Sequence, residues 1–178
     1  MKIESNIVSE LSDRMEAIEN KYGYLSYLIN KRLANEKLIQ LEIMRIVSLQ
    51  TEVVEYLPEK LYPSSREKCD FWFKTKDNIE TWMEIKTRPT NYRKPRHAKA
   101  ITKGVEGIIE DIERLREKAP ARVTKYVVFA LYPVYSDSYP FLKKHLEKIS
   151  MAARKKIDKP DIEINCGNGA FQVYMVKL

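Results

Sequence analysis

Two carboxylates and an ammonium fall at a spacing suited to phosphate chemistry. Glu84 and Lys86 stand two apart in Trp82-Met83-Glu84-Ile85-Lys86-Thr87. Strand residues two apart project from one face, so these two side chains share a neighbourhood. Asp70 lies in Cys69-Asp70-Phe71-Trp72-Phe73. On an adjoining antiparallel strand its carboxylate reaches the same spot. Hard oxygen donors of this kind, with the Ile85 carbonyl as a further one, suit Mg2+ (or Mn2+), which takes one or two carboxylates, waters and a substrate phosphate. A cation held there lowers the pKa of its water and neutralises charge building on a phosphate under attack, while Lys86 can orient or deprotonate that water. Without chemistry, the same residues make an exposed cross-strand ion pair worth at most about 1 kcal/mol.

The elements that must position these residues are legible from periodicity. Ile7, Val8, Leu11, Met15 and Ile18 recur at helical intervals, and Gly23 ends that first helix. A longer helix is expected from about Leu25 to Gln50, where apolar residues are dense and neither proline nor glycine interrupts. Val53 to Tyr56 is the weakest strand. After Pro63-Ser64-Ser65 the pattern alternates, with Cys69, Phe71 and Phe73 on one face and Asp70, Trp72 and Lys74 on the other. Lys76-Asp77-Asn78 turns into a second alternating run, Ile79 to Lys86, that places Glu84 and Lys86 opposite Met83 and Ile85. A helix from about Lys103 to Lys118 follows, stopped by Pro120. Tyr126 to Leu131 lacks polar alternation and reads as a central strand covered on both faces. Ser138 as N-cap with Pro140 in the first turn opens a last helix to about Met151, and a strand from about Phe171 to Val176 closes the chain.

The Asp70 segment followed by Glu84-Ile85-Lys86 resembles the core motif of the PD-(D/E)XK, or restriction-endonuclease-like, nuclease superfamily. The family core runs helix, strand, strand, strand, helix, strand, and the order read above agrees with it independently. The resemblance implies an α/β fold of one domain over residues 1–178, with a core at about 35–131. A mixed central sheet would be flanked by helices, with an N-terminal helix and a C-terminal helix-strand extension outside the core. It implies a metal-dependent nuclease that hydrolyses phosphodiester bonds, DNA first and RNA not excluded. Asp70, Glu84 and the Ile85 carbonyl would hold metal, and Lys86 would position the water. Asn35-Glu36-Lys37-Leu38-Ile39-Gln40 resembles the helix motif of one branch, which carries a water-mediated metal role to Glu36, with Glu42 as competitor and Gln40 one turn on. Cys69 stands where the family nominally has proline. The alternative from another class is a nucleic-acid-binding or protein-interaction module that keeps the fold without cleavage.

Charge distribution agrees with a polyanionic partner. Between Ile85 and Val105 there is no acidic residue, whereas Lys86, Arg88, Arg93, Lys94, Arg96, Lys99 and Lys103 match the whole net charge of +7. The remainder sums close to neutral, so one local basic face is expected, starting beside the proposed metal. Phosphates can lie along it, and Tyr92 can stack on a base or sugar. Cys69 and Cys166 are too few for a disulfide framework and read as buried thiols. His97 and His145 sit at no metal-ligand spacing, and Trp72 and Trp82 read as core. With no long apolar run and no signal-peptide pattern at Met1, the chain reads as cytoplasmic, with no membrane partner. The first helix can serve a homodimer or pack on its own domain.

Overall fold

The computed structural model describes residues 2–90, 101–167 and 169–178. Helices α1 (Lys2–Tyr22), α2 (Tyr24–Lys31) and α3 (Glu36–Ser48) lead into strands β1 (Val53–Pro58), β2 (Phe71–Thr75) and β3 (Glu80–Pro89). Helix α4 (Ile101–Lys118), strand β4 (Thr124–Val134), a 3-10 turn (Ser136–Ser138), α5 (Tyr139–Ala153), β5 (Ile162–Asn165) and β6 (Ala170–Lys177) follow. Among the described residues these strands form one mixed sheet in the order β1-β2-β3-β4-β6-β5. Only β3 and β4 pair in parallel, as a crossover through α4 requires, and every other pairing is antiparallel. No described helix is long and apolar enough to cross a membrane.

Each face of the sheet buries its own core. Along β4, Tyr126, Val128, Ala130 and Tyr132 join Phe71, Phe73, Met83 and Ile85 beneath α1, α2 and α3. The intervening Val127, Phe129 and Leu131 join Trp72 and Trp82 with the apolar stripe of α4 and with Leu142, Leu146 and Ile149 of α5. The result is a three-layer sandwich in which β4 is apolar from Tyr126 onward because both of its faces are covered there. Trp72 and Trp82 are core residues, 1% and 2% exposed, and both indole N–H groups donate to Glu80 Oε2.

The structure corrects several expectations. The single helix over 25–50 is two. Arg32 takes a left-handed conformation (φ 53°) and Asn35 caps α3 by accepting from the Leu38 N–H at 3.2 Å. The Arg32 guanidinium donates to the Thr90 carbonyl at 2.9 Å, so the break is tied to the end of β3. Cys69 belongs with Trp72 rather than with Phe71 and Phe73, because the chain bends at Asp70 and β2 begins only at Phe71. Ser138 precedes α5 as expected but supplies no side-chain cap; its hydroxyl donates to Asp137 instead. The C-terminal extension is a helix and two strands, since the short β5 pairs with β6 at the sheet edge. Helix α1 buries Ile7, Leu11 and Met15 in its own domain's core. Both cysteines are free and buried.

Candidate active site

A mismatch in strand length creates the site. Strand β3 pairs with β4 from Thr81 to Pro89, but its ladder with β2 ends at Phe71↔Met83. Residues 84–89 therefore overhang β2 and leave a notch in the sheet. Asp70, one residue before β2, fills the next place in the ladder with its side chain: Oδ2 accepts from the Ile85 N–H at 2.7 Å. In an antiparallel ladder a residue's N–H and C=O face the same neighbour, so the Ile85 carbonyl faces the notch as well. The backbone carbonyl of Asp70 is held by the Glu59 N–H at 3.2 Å and by the buried Gln40 amide of α3. Gln40, read from sequence only as a companion of Glu36, thus anchors Asp70.

Glu84 points from the overhang toward α4 and is 2% exposed. Its Oε1 accepts from the Tyr62 hydroxyl at 2.6 Å and from Arg114 Nε at 2.9 Å. Tyr62 is itself fixed by stacking on Trp82, with ring centroids 5.3 Å apart. Burial, and then the nearby Asp70 charge, push the Glu84 carboxyl up to about 8 against the opposing pull of Arg114 and Tyr62. Burial and the charges of Glu84 and Asp70 likewise push the Cys69 thiol up to about 12, which makes it a poor nucleophile.

Lys86 follows on the same face. Its Nζ lies 3.5 Å from Asp111 Oδ2 and 3.8 Å from Glu36 Oε1, and Arg88 reaches the same Glu36 oxygen at 3.5 Å. Arg114 closes the set by donating to Asp111 Oδ1. Burial raises the Asp111 carboxyl above its ordinary range although Lys86 and Arg114 oppose it, and its Oδ2 has no hydrogen-bond partner among the described residues. Helix α4 approaches closely enough to make these contacts because of two glycines. A side chain at Gly104 would meet Arg88 Cδ at 2.9 Å, and one at Gly107 would meet an Arg88 guanidinium nitrogen at 3.2 Å.

The structure therefore brings Asp70, Glu84, Ile85, Lys86 and Glu36 together. Glu36 sits at the first turn of α3, where it reaches Lys86 and Arg88. Glu42 instead faces α1, with Arg14 at 3.6 Å, and has no part in the cluster. Among the described residues no three His, Cys, Asp or Glu side chains are arranged to hold a metal ion. Asp70, Glu84 and the Ile85 carbonyl nonetheless fit a hard dication that keeps most of its waters. All three are oxygen donors, and the repulsion that raises Glu84 is one that a cation between the carboxylates relieves. Of the basic stretch, Tyr92, Arg93, Lys94, Arg96 and Lys99, together with His97, lie outside the described residues. Lys103 is exposed on α4, and Arg88 is half-buried against Glu36 and the two glycines.

Sequence reasoning missed Tyr62, Asp111 and Arg114. For the last two a signal exists: Gly104, Gly107, Asp111, Arg114 and Lys118 recur every three or four residues, a second stripe beside Val105, Ile108, Ile112 and Leu115. Tyr62 carries no local signal, because its partners are 20 and 22 positions away. Compared with family models, with curated proteins and with solved structures, the chain matches none.

Proposed function

We propose that this chain is a metal-dependent nuclease of the PD-(D/E)XK class, hydrolysing phosphodiester bonds of nucleic acid, DNA first. The observation that carries the reading is the gathering of Asp70, Glu84, the Ile85 backbone and Lys86 at one notch in the sheet. Three strands in a meander, a crossover helix and a parallel strand surround it, which is the element order of that fold's core. Mg2+ (or Mn2+) bound by Asp70, Glu84 and the Ile85 carbonyl would supply a Lewis acid and a more acidic water. Lys86, held by Asp111 and Glu36, positions an attacking water and carries positive charge toward the phosphate. Tyr62 and Arg114 both donate to Glu84 Oε1 and so hold the carboxylate in one orientation. Gln40 does the same for the backbone that carries Asp70.

One observation favours a second reading, a binding module that does not cleave. Glu84 and Lys86 already have partners of their own in Arg114, Tyr62 and Asp111, with neither metal nor substrate needed to supply them. The two readings separate in a cleavage assay on labelled duplex, single-stranded and branched DNA and single-stranded RNA, with Mg2+ or Mn2+. The nuclease reading expects cutting by wild type that Glu84→Ala and Lys86→Ala abolish while binding persists. Salt-dependent binding without cutting by wild type would replace it with the binding module. Metal-dependent stabilisation gives an independent check: Mn2+ should raise the melting temperature of wild type and leave Asp70→Ala unchanged.

A further inference from the structure

The neutral remainder of the chain is not evenly neutral. Residues 143–159 carry seven basic residues against Glu147 and Asp158. All seven are exposed, six of them being Lys143, Lys144, Lys148, Arg154, Lys155 and Lys156 on the outer side of α5 and the turn after it. Within this segment the ion pair recorded among the described residues is Lys156 with Asp158, at 2.6 Å. Folding accounts for only part of the pattern. Cations at the C-terminal end of α5 suit the helix dipole, which covers Arg154 to Lys156. Lys143 and Lys144 lie near the opposite end, and Lys144 with Lys148 is a like-charge pair at i,i+4, which costs a helix a few tenths of a kcal/mol.

The inner side of α5 is committed to the core through Leu142, Leu146, Ile149 and Ala153. The apolar residues that α5 does expose, Tyr139, Phe141 and Met151, fall on different sides of the helix and are interleaved with lysines, so they make no continuous apolar face to insert into a lipid surface. Arg116 of α4 donates to the carbonyls of Ala152 and Ala153, clamping the end of α5 to the helix whose Arg114 holds Glu84. Packed helices lie about 8–10 Å apart, so α5 runs directly beside the helix that reaches the notch and carries the charged strip on its outward side. From Lys143 to the end of α5 at Ala153 it runs roughly 15 Å at about 1.5 Å per residue, some four steps of one phosphate chain at about 3.4 Å each. A groove of about 600 Å³ in this region is lined by apolar Tyr139, Leu146, Met151 and Ile157 and by four cations, Lys143, Arg154, Lys155 and Lys156, against the acidic Glu147 and Asp158.

We propose that the outer face of α5 and the turn following it form a second phosphate-backbone surface, which grips nucleic acid beyond the bond cut at the notch. The proposal rests on the nuclease reading for its choice of partner. The test uses the full chain with a fluorescein-labelled 30-base-pair DNA duplex, bound without divalent metal over a series of salt concentrations. Wild type is compared with the triple variant Lys143→Glu, Lys144→Glu, Lys148→Glu and with a control of equal charge change, Lys21→Glu, Lys31→Glu, Lys76→Glu. The α5 variant should lose at least about tenfold more affinity than the control. Its log–log salt slope should flatten by about 2 to 3, at 0.9 per phosphate released. Melting temperatures should remain within a few degrees of wild type. Equal losses in the two variants, or an unchanged slope, would overturn the proposal. So would anionic phosphatidylserine vesicles losing binding to the α5 variant while the duplex does not, which would assign the strip to a lipid surface. Cleavage by wild type with Mg2+ is measured separately. If α5-dependent binding appears without cleavage, the surface stands and the nuclease reading falls; if cleavage appears and the α5 variant binds like the control, the reverse holds.

Discussion

Behind β3, Ile39, Ile43 and Val47 share a core with Phe71, Phe73 and Met83; in front of it, Glu84 and Asp111 lie equally deep, each 2% exposed. The two faces of one strand are thus held by opposite means. Among Ile39, Ile43, Val47 and the strand residues beneath them shape decides, and interiors of this kind tolerate swaps that conserve volume. On the α4 side every buried charge must meet an opposite one, and removal of a single partner leaves its neighbour stranded in a medium that solvates it badly. The difference teaches where this protein places specificity. The apolar contacts behind β3 can drift in sequence as long as Glu36 and Gln40 of α3 are kept, whereas the charged cluster in front fixes four carboxylates and three cations relative to one another.

The largest effect that would break this comparison is catalytic. Lys86→Ala should lower the single-turnover cleavage rate per folded molecule by about 10²- to 10⁴-fold, the size of general acid–base contributions, and should also lower the melting temperature, because buried Asp111 is left with Arg114 alone. A variant cutting at the wild-type rate would place the chemistry elsewhere. Ile43→Ala should instead cost about 2–5 kcal/mol in denaturant unfolding with little change in the rate per folded molecule.

Intermediate effects sharpen the contrast through pH. The folded Glu84 carboxyl titrates near 8, above its ordinary value of 4.5. The folded state therefore binds the proton more tightly than the unfolded state does. Glu84 favours folding below about 4.5, and that advantage drains away as pH rises from there to about 8. Melting temperature recorded from pH 5 to 8.5 should accordingly fall more in wild type than in Glu84→Gln. Parallel curves would mean that burial is not what governs this carboxyl. The smallest effect concerns the competing helix glutamate: Glu42→Ala should cost about 1 kcal/mol or less and leave cleavage unchanged, because its partner is Arg14 on the far face.

How much of this was legible in the sequence depends on the range of the interaction. Strand alternation placed Glu84 and Lys86 on one face, and the helix spacing of Glu36 and Gln40 survived because both are local patterns. The break at Arg32 was missed although Asn35 is a good N-cap, since the apolar run through Leu33 and Leu38 carried the helix across it; Leu33 proves exposed. Strand β5 offers only Ile162 and Ile164 in alternation, too short a pattern to stand out. Asp111 and Arg114 flank the apolar stripe of an amphipathic helix, where charges ordinarily face water. Their burial follows from Gly104 and Gly107, which let α4 approach the overhang of β3. The second basic concentration was hidden by arithmetic, since acidic residues elsewhere cancel it in the total.

The overhang has a further consequence, for the company the protein keeps. Among the described residues, 84–89 have no strand partner on the β2 side, and an open strand edge is a template on which another chain can add itself. Here that edge carries Lys86 and Arg88, is occupied at Ile85 by the Asp70 carboxylate, and ends at Pro89, which has no N–H to offer. These charges oppose the edge-to-edge pairing that the open strand would otherwise invite. Neutralising Lys86 and Arg88 together would favour sheet-to-sheet self-association in concentrated solution.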